Sequence, residues 1–387
     1  MSTKHANQVM EKFSDECILC GACLSACTLL SDLGENPGEI AQAISREEVS
    51  DELVAAVQRC ALCGYCSQEC LVNLNPAEMF KAAREILVQK GRIDPEEYDV
   101  MRVDREWNFF SIYRATYDIH FEDLKRTEYD TLFFPGCTLA SYSPELTRAA
   151  FHWLEKRGLQ VGFTELCCGK PLDSIGLSGA ANHYLDRLRN ELETSGARQI
   201  ITACPNCENS LRSKLPGLDI HSIYGLMLDA GVHVTGEGTL TFHDSCPDRY
   251  GSSNPHDVRQ LLSGFQQVEM KSRGMDTICC GSGGIVSTVD PELCASRAQK
   301  RMAEFFSTRA DTCVTACMAC SHRLAQNIRA GQVRHCLEYV FDIQVDYEQV
   351  EKNTIAMWEG RTGEINLARL AQAHELSAEE EKSRKNA

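Results

Sequence analysis

The sequence predicts a multidomain α+β chain, in which a helical, cysteine-dense N-terminal region is followed by one α/β unit used twice. The clearest sign is the cysteine pattern. Of 21 cysteines in 387 residues, all but Cys294, Cys313 and Cys336 fall into four ordered groups. Two groups are compact tetrads, Cys17, Cys20, Cys23, Cys27 and Cys60, Cys63, Cys66, Cys70. Two are spread quintets, Cys137, Cys167, Cys168, Cys204, Cys207 and Cys246, Cys279, Cys280, Cys317, Cys320. The second sign is an internal register. Cys137, Cys168, Cys204 and His221 recur as Cys246, Cys280, Cys317 and His335, at offsets of 109, 112, 113 and 114, which marks a duplication.

Taken in order, residues 1–95 hold the tetrads, with a polar, helix-like stretch from Glu39 to Arg59 between them. Asn75-Pro76 opens a helix whose apolar positions Met79, Phe80, Ala83, Ile86 and Leu87 share one face, and Gly91 stops it. Residues 96–128 carry Trp107, Phe109, Phe110, Tyr113 and Tyr117 and read as a packed connector. Residues 129–236 and 237–345 form the two copies. In each, short β-rich runs end at a cysteine: Thr131–Phe134, Gln199–Thr202, Thr239–His243 and Thr312–Thr315. Helical patterns such as Leu146–Arg157 and Leu293–Phe306 lie between. Strands alternating with helices predict parallel sheets, whose ligands gather at the carboxyl ends of strands. The cysteines fall there. Residues 346–387 read as a helix or two and then a frayed end.

The bulk numbers exclude several classes. A formal charge of −16, from 39 basic and 55 acidic residues, argues against nucleic acid, since phosphate binding needs a basic face. It suits a basic redox partner, although acidic proteins without one are common. No run approaches the length of a transmembrane helix, and the start MSTKHANQVMEKFSDE lacks the apolar core of a signal peptide. The expected location is cytoplasmic, with membrane attachment through a partner subunit left open. In that compartment dense cysteine signals metal or redox chemistry rather than disulfides.

Each tetrad reads CxxCxxCxxxC. Three closely spaced sulfurs wrap one cubane, and in two-cluster ferredoxins the fourth cysteine serves the other cluster. The expected sites are therefore Cys17, Cys20, Cys23 with Cys70, and Cys60, Cys63, Cys66 with Cys27, each for a 4Fe–4S cluster. Thr28 and Leu71 stand where a proline is usual after the fourth cysteine, a change that shapes the exit turn and removes no ligand. The competing reading is zinc, which favours two CxxC pairs across a longer loop and fits this spacing less well.

The quintets offer one thiolate more than a cubane needs. A vicinal pair with an upstream cysteine and a downstream CxxC suggests an unusual cluster, and Gly169 and Gly281 permit the tight backbone that turns both sulfurs inward. These paired quintets resemble the CCG-domain family typified by the catalytic B-type subunit of heterodisulfide reductase. The tetrads look like its ferredoxin-like C-type subunit, and the order of the two parts is similar to the fused D-type subunit. The chain also resembles iron–sulfur subunits of glycerol-3-phosphate and lactate oxidation systems. The resemblance covers about residues 10 to 340. It implies a non-cubane 4Fe–4S cluster in each complete quintet, the two facing each other across a substrate. Both quintets here are complete, which favours the catalytic type.

The resemblance then implies an iron–sulfur oxidoreductase, a subunit that takes electrons from a flavoprotein, hydrogenase or dehydrogenase partner and reduces a disulfide. Cys168 and Cys280 are the candidate catalytic cysteines. His243, in the run His243-Asp244-Ser245-Cys246-Pro247, is a candidate proton donor, a donor to a ligand sulfur, or a structural histidine. His221 and His335, at matching repeat positions, read as structural. Lys170 either places charge beside a cluster or is solvated. Gly281-Ser282-Gly283-Gly284 resembles a phosphate cradle, but no dinucleotide fingerprint accompanies it, so it reads as backbone wrapped round a cluster. The leftover cysteines read as small buried hydrophobes. Two alternatives stand beside this reading: an electron conduit between a flavoprotein dehydrogenase and a membrane quinone partner, and a metal-stabilised scaffold without activity.

Overall fold

The computed structural model describes residues 3–329 and 331–385. The N-terminal region is helical. Helix Thr3–Glu16 buries Ala6, Val9, Met10 and Phe13, spaced to lie on one face, against helices Pro37–Ser45 and Pro76–Gln89. The stretch expected as helix-like from Glu39 to Arg59 is two helices, Pro37–Ser45 and Asp51–Gln58. Glu47 adopts a left-handed φ of 63° between them, and Ser50 Oγ caps the second by accepting from the Leu53 amide. Asn75 caps the helix that starts at Pro76.

Two four-stranded sheets follow, every pair parallel. The first comprises β1 (Thr131–Phe134), β2 (Val161–Phe163), β3 (Gln199–Thr202) and β4 (Asp219–Ser222) in the order β2-β1-β3-β4. The second comprises β5 (Thr235–His243), β6 (Gly264–Gln267), β7 (Thr312–Thr315) and β8 (Val333–His335) in the matching order β6-β5-β7-β8. β5 starts at Thr235, ahead of the expected start of the second copy at 237. The four strands that end at a cysteine were legible in the sequence, whereas β2, β4, β6 and β8 were not.

The repeat needs one correction. His221 is exposed on β4, while His335 is fully buried and caps helix Cys336–Phe341. The residue that caps the corresponding helix Ile223–Asp229 is Ser222. The register therefore holds at 113 residues from Cys204/Cys317 through to Ser222/His335, and His221 has no histidine counterpart.

The two copies share one core, in which Phe133, Leu146, Phe151 and Ile201 join Leu240, Phe242, Val314 and Leu337. Near its centre the buried Tyr224 hydroxyl lies 3.1 Å from the Ala203 carbonyl and 3.0 Å from the Ala316 carbonyl. These carbonyls precede Cys204 and Cys317. His335 Nδ1 accepts from the Leu337 amide, so its proton sits on Nε2 and is donated to the Tyr224 oxygen at 3.3 Å. One side chain from the first copy thus holds equivalent loops of both.

The connector aromatics are core. Tyr113 packs on Tyr117 and Tyr142, and Ile112 and Tyr113 share a core with Met357, which follows helix Tyr347–Ala356, and Leu370 of helix Gly360–Lys385. The frayed end expected at the terminus falls partly on residues 386 and 387, outside the described residues.

Replacing Tyr224 with Phe leaves two buried carbonyls and the His335 N–H without their shared partner. Unpaired buried groups cost about 1–3 kcal/mol, so Tyr224→Phe should lower the denaturant midpoint of the full chain. An unchanged midpoint would show that the hydroxyl does not hold the two copies together.

Candidate functional site

The two tetrads exchange their fourth cysteines in space. Cys17, Cys20, Cys23 and Cys70 border one cleft, together with Phe13, Pro37, Leu74 and Pro76. Cys27, Cys60, Cys63 and Cys66 border another, with Leu29, Ala61 and Phe80. The same turn builds both. Leu19 and Leu62 take φ of 53° and 52°, and Gly21 and Gly64 take φ of 74° and 73°, so each CxxCG segment coils its thiols inward. Amides point at sulfur here: Leu62 N–H lies 3.4 Å from Cys60 Sγ, and Leu74 N–H lies 3.2 Å from Cys70 Sγ.

Each quintet is also one group of neighbouring thiols that interact pair by pair. In the first, Cys137 meets Cys167, Cys167 meets Cys168, Cys168 meets Cys207 and Cys207 meets Cys204. In the second, Cys246 meets Cys279, Cys279 meets Cys280, Cys280 lies 3.3 Å from Cys320, and Cys320 meets Cys317. The glycines after the vicinal pairs adopt the left-handed conformation, with φ of 75° at Gly169 and 100° at Gly281.

The groups are joined to one another. Cys204 touches Cys317, which links the quintets, and Asn206 Nδ2 reaches Cys317 Sγ at 3.8 Å. Cys63 of the second tetrad touches both Cys246 and Cys279. The resemblance implied quintets that face each other, whereas the Cys63 junction carried no sequence signal, because it depends on how the units pack. The Gly281–Gly284 loop belongs to the same junction. A Cβ on Gly283 would lie 2.3 Å from the Ala61 carbonyl, and one on Gly284 2.6 Å from the Cys60 carbonyl. These glycines allow the second copy to seat on the tetrad loop; no phosphate cradle is needed to explain them. Arg84, fully buried on helix Pro76–Gln89, clamps the other side, donating to the carbonyls of Val57, Gln58, Cys60 and Ser174.

Hydrogen bonds with Cys167 and Cys207, and after them the backbone amide and charge of Lys170, favour the Cys168 thiolate. Arg297 plays a similar part near Cys279, Cys63 and Cys27. Neither the arginine nor its position carried a sequence signal. Cys294, Cys313 and Cys336 are fully buried and outside the groups. His243 is 2% exposed, and a ring nitrogen lies within 4.8 Å of the Cys280 and Cys320 sulfurs. The thiols it groups with are thus Cys280 and Cys320, although Cys246 lies only three residues along the chain. Burial, and then the adjacent Arg301, hold its pKa down to about 3, so the ring is neutral.

The donor set fits iron–sulfur clusters. Every cysteine is a free thiol. Burial pushes Cys60 up to about 12 and Cys23 up to about 11, so these groups give up their protons only to a cation that replaces them. Backbone amides aimed at sulfur suit a cluster whose potential depends on hydrogen bonding.

Comparison with known proteins agrees. The 4Fe-4S dicluster domain model matches residues 13–92, and the cysteine-rich domain (CCG) model matches residues 131–212 and 240–325. The chain is 26% identical over 379 residues to the D-type subunit of the dihydromethanophenazine:CoB–CoM heterodisulfide reductase of Methanosarcina barkeri, covering 84% of this chain and 91% of that protein. It is 24% identical over 336 residues to the B-type subunit of the fumarate reductase (CoM/CoB) of Methanothermobacter marburgensis, covering 81% and 68%. Among solved structures, a hypothetical protein from Helicobacter pylori matches with a TM-score of 0.51 at 10% identity, over 90% of this chain and 75% of that one, a likeness of fold alone. No helix among the described residues is long and apolar enough to cross a membrane.

The crossed tetrads give a direct test. Cys70→Ser should damage the centre formed with Cys17, Cys20 and Cys23 and spare the centre beside it in sequence, as read by cluster-resolved EPR. Loss at the Cys60–Cys66 centre instead would show uncrossed ligation. Chemical analysis of the anaerobically purified chain should give about sixteen irons for four 4Fe–4S sites, and stoichiometric zinc with little iron would overturn the cluster reading.

Proposed function

We propose that this chain, which carries a 4Fe–4S dicluster domain and two cysteine-rich CCG domains, is the iron–sulfur subunit of a heterodisulfide reductase-like complex. It would take electrons from a partner subunit and use them at the two quintets to reduce a disulfide. The observation that carries this reading is the run of neighbouring thiols from Cys63 of the second tetrad to Cys246 and Cys279, then through Cys280, Cys320 and Cys317 to Cys204.

Clusters at these sites would supply electrons one at a time, whereas a disulfide takes up two electrons and two protons as its S–S bond breaks and two thiols form. Two adjoining quintets offer each departing sulfur its own acceptor. The chain's residues set the rest. Cys20 is exposed, and Ile18, Leu19 and Leu71 around it present 58%, 43% and 72% of their surface. Asp15, Glu16, Asp32, Glu35 and Glu39 are exposed nearby in sequence. Electron entry is therefore expected here, from a partner with an apolar docking face and a basic rim. Both vicinal pairs, by contrast, are buried, as chemistry shielded from stray oxidants requires.

The alternative is a conduit that relays electrons between a flavoprotein dehydrogenase and a membrane quinone partner without a substrate of its own. Variants separate the two. Under the disulfide reading, Cys168→Ala or Cys280→Ala abolishes disulfide reduction even with a strong artificial reductant. Cys20→Ala abolishes it only with the natural donor, because a small reductant bypasses the entry site. Thiol–disulfide chemistry needs a specific acceptor for each sulfur, whereas a relay needs only a path. Full reductase activity in a Cys280 variant that has lost its cluster would favour the conduit.

A further inference from the structure

The two copies share a fold but differ at one buried pair beside the cysteines. Strand pairing makes Phe134 and His243 equivalent, since Phe134 pairs with Thr202 and His243 with Thr315 at the ends of matching strands. Helices Ser178–Ser195 and Pro291–Thr308 have 18 residues each. Leu188 occupies the same place in the first as Arg301 in the second. In the first copy the pair is apolar, and Phe134 and Leu188 are fully buried in the cluster that holds Cys167, Cys168 and Cys207. In the second copy the same two places hold a polar pair that is also buried, with Arg301 at 0% and His243 at 2% exposure.

Packing does not call for this exchange, because the first copy shows that the site accepts two hydrocarbons. A buried guanidinium and imidazole demand partners that hydrocarbons do not. Arg301 has them: Nε donates to His243 Nδ1 at 2.9 Å, and the remaining nitrogens reach the carbonyls of Phe242 and Ser272 and the Glu304 carboxylate. A guanidinium has no acceptor to offer. His243 Nδ1 therefore carries a lone pair in this bond, and the ring proton is on Nε2. That Nε2 is buried and has no partner within the protein, while the group Cys280–Cys320 stands within 4.8 Å of the ring.

We propose that His243 Nε2–H is a hydrogen-bond donor to sulfur at the second quintet, that Arg301 is the positioning residue that fixes this tautomer, and that the first quintet has no such donor. The inference rests on the reading that Cys280 and Cys320 hold an iron–sulfur cluster. An N–H donated to sulfur stabilises the added negative charge of the reduced state, and in a dry site the effect is large. This donor makes the second quintet more easily reduced than it would be with the first copy's hydrocarbon pair.

The test uses the anaerobically purified full chain, with iron content measured first so that failure to load is separated from failure of the proposal. In wild-type protein labelled with 15N-histidine and reduced, electron–nuclear double resonance should show a weak nitrogen coupling and an exchangeable proton at one site. A large nitrogen coupling would make His243 an iron ligand, and no coupling would leave it structural; either result overturns the proposal. In potentiometric titrations, the double change His243→Phe with Arg301→Leu installs the first copy's own pair and should preserve iron content. It should shift the oxidised-to-reduced ratio of one site about tenfold toward oxidised, or 59 mV for a one-electron couple. Arg301→Lys keeps a donor on Nδ1 and should restore the wild-type midpoint. Unchanged midpoints in a fully loaded double variant would also overturn it.

Discussion

The arrangement of this chain hangs on the meeting of two loops, one ending at Cys204 and the other at Cys317. The Tyr224 hydroxyl sits between the carbonyls just before those cysteines, and the His335 ring supports it from the far side. A parallel sheet delivers its strand ends to one edge, so each copy alone would present its cysteines at that edge. Bringing the two edges together is a separate requirement. It is met by a shared hydrophobic core and, at its centre, by a polar contact that only one geometry satisfies. A hydrocarbon core sets how tightly the copies pack; the hydroxyl fixes which residues face each other.

The dicluster region is attached by a different logic. Arg84 donates to four carbonyls, one of them Ser174 in the first copy, while Gly283 and Gly284 let the second copy approach the Cys60–Ala61 backbone. Ion pairs add to both sides, Lys81 with Asp173 at 3.1 Å and Arg59 with Asp290 at 2.6 Å. The buried arginine is the costly component. Desolvation lowers its pKa to about 10, and only its full set of acceptors keeps the charge tolerable in that place. Gly176, at φ 103°, belongs to the same contact, because a Cβ there would lie 2.8 Å from the Arg84 carbonyl. The tetrad loop is therefore held from two directions, and Cys63 is carried to within touch of Cys246 and Cys279.

Much of this was legible in the sequence, for physical reasons that can be named. Cysteine spacing is a local property, so the tetrads, the quintets and the strand ends before them could be read directly. The duplication followed from register. What could not be read depends on tertiary placement. β2, β4, β6 and β8 are short and carry no cysteine; β4 alternates exposed and buried residues over only four positions. The pairing of His221 with His335 looked sound because both are histidines near the right offset, yet capping places Ser222 opposite His335. Arg84 and Arg297 sit on helices where any long polar residue is unremarkable in sequence. Their roles exist only once the loops they serve have been folded against them.

A duplicated fold gives two equal containers, and the contacts around them make the containers unequal. The tetrad region touches the second quintet through Cys63, whereas the first quintet is reached in this chain through Cys317 and Cys204. The position of an electron along such a line depends on the order of the sites and on their relative potentials. Order is set here by which copy Gly283 and Gly284 allow to seat on the tetrad loop. With clusters at these sites, potential would be set by local groups: Lys170 beside Cys168 in one copy, the His243–Arg301 pair beside Cys280 and Cys320 in the other. A two-electron reaction fed by single electrons needs the first to wait until the second arrives. A fold with perfect internal symmetry would give the first electron no preferred place to wait. Placing polar groups at Phe134- and Leu188-equivalent positions in one copy alone breaks that symmetry without altering either sheet.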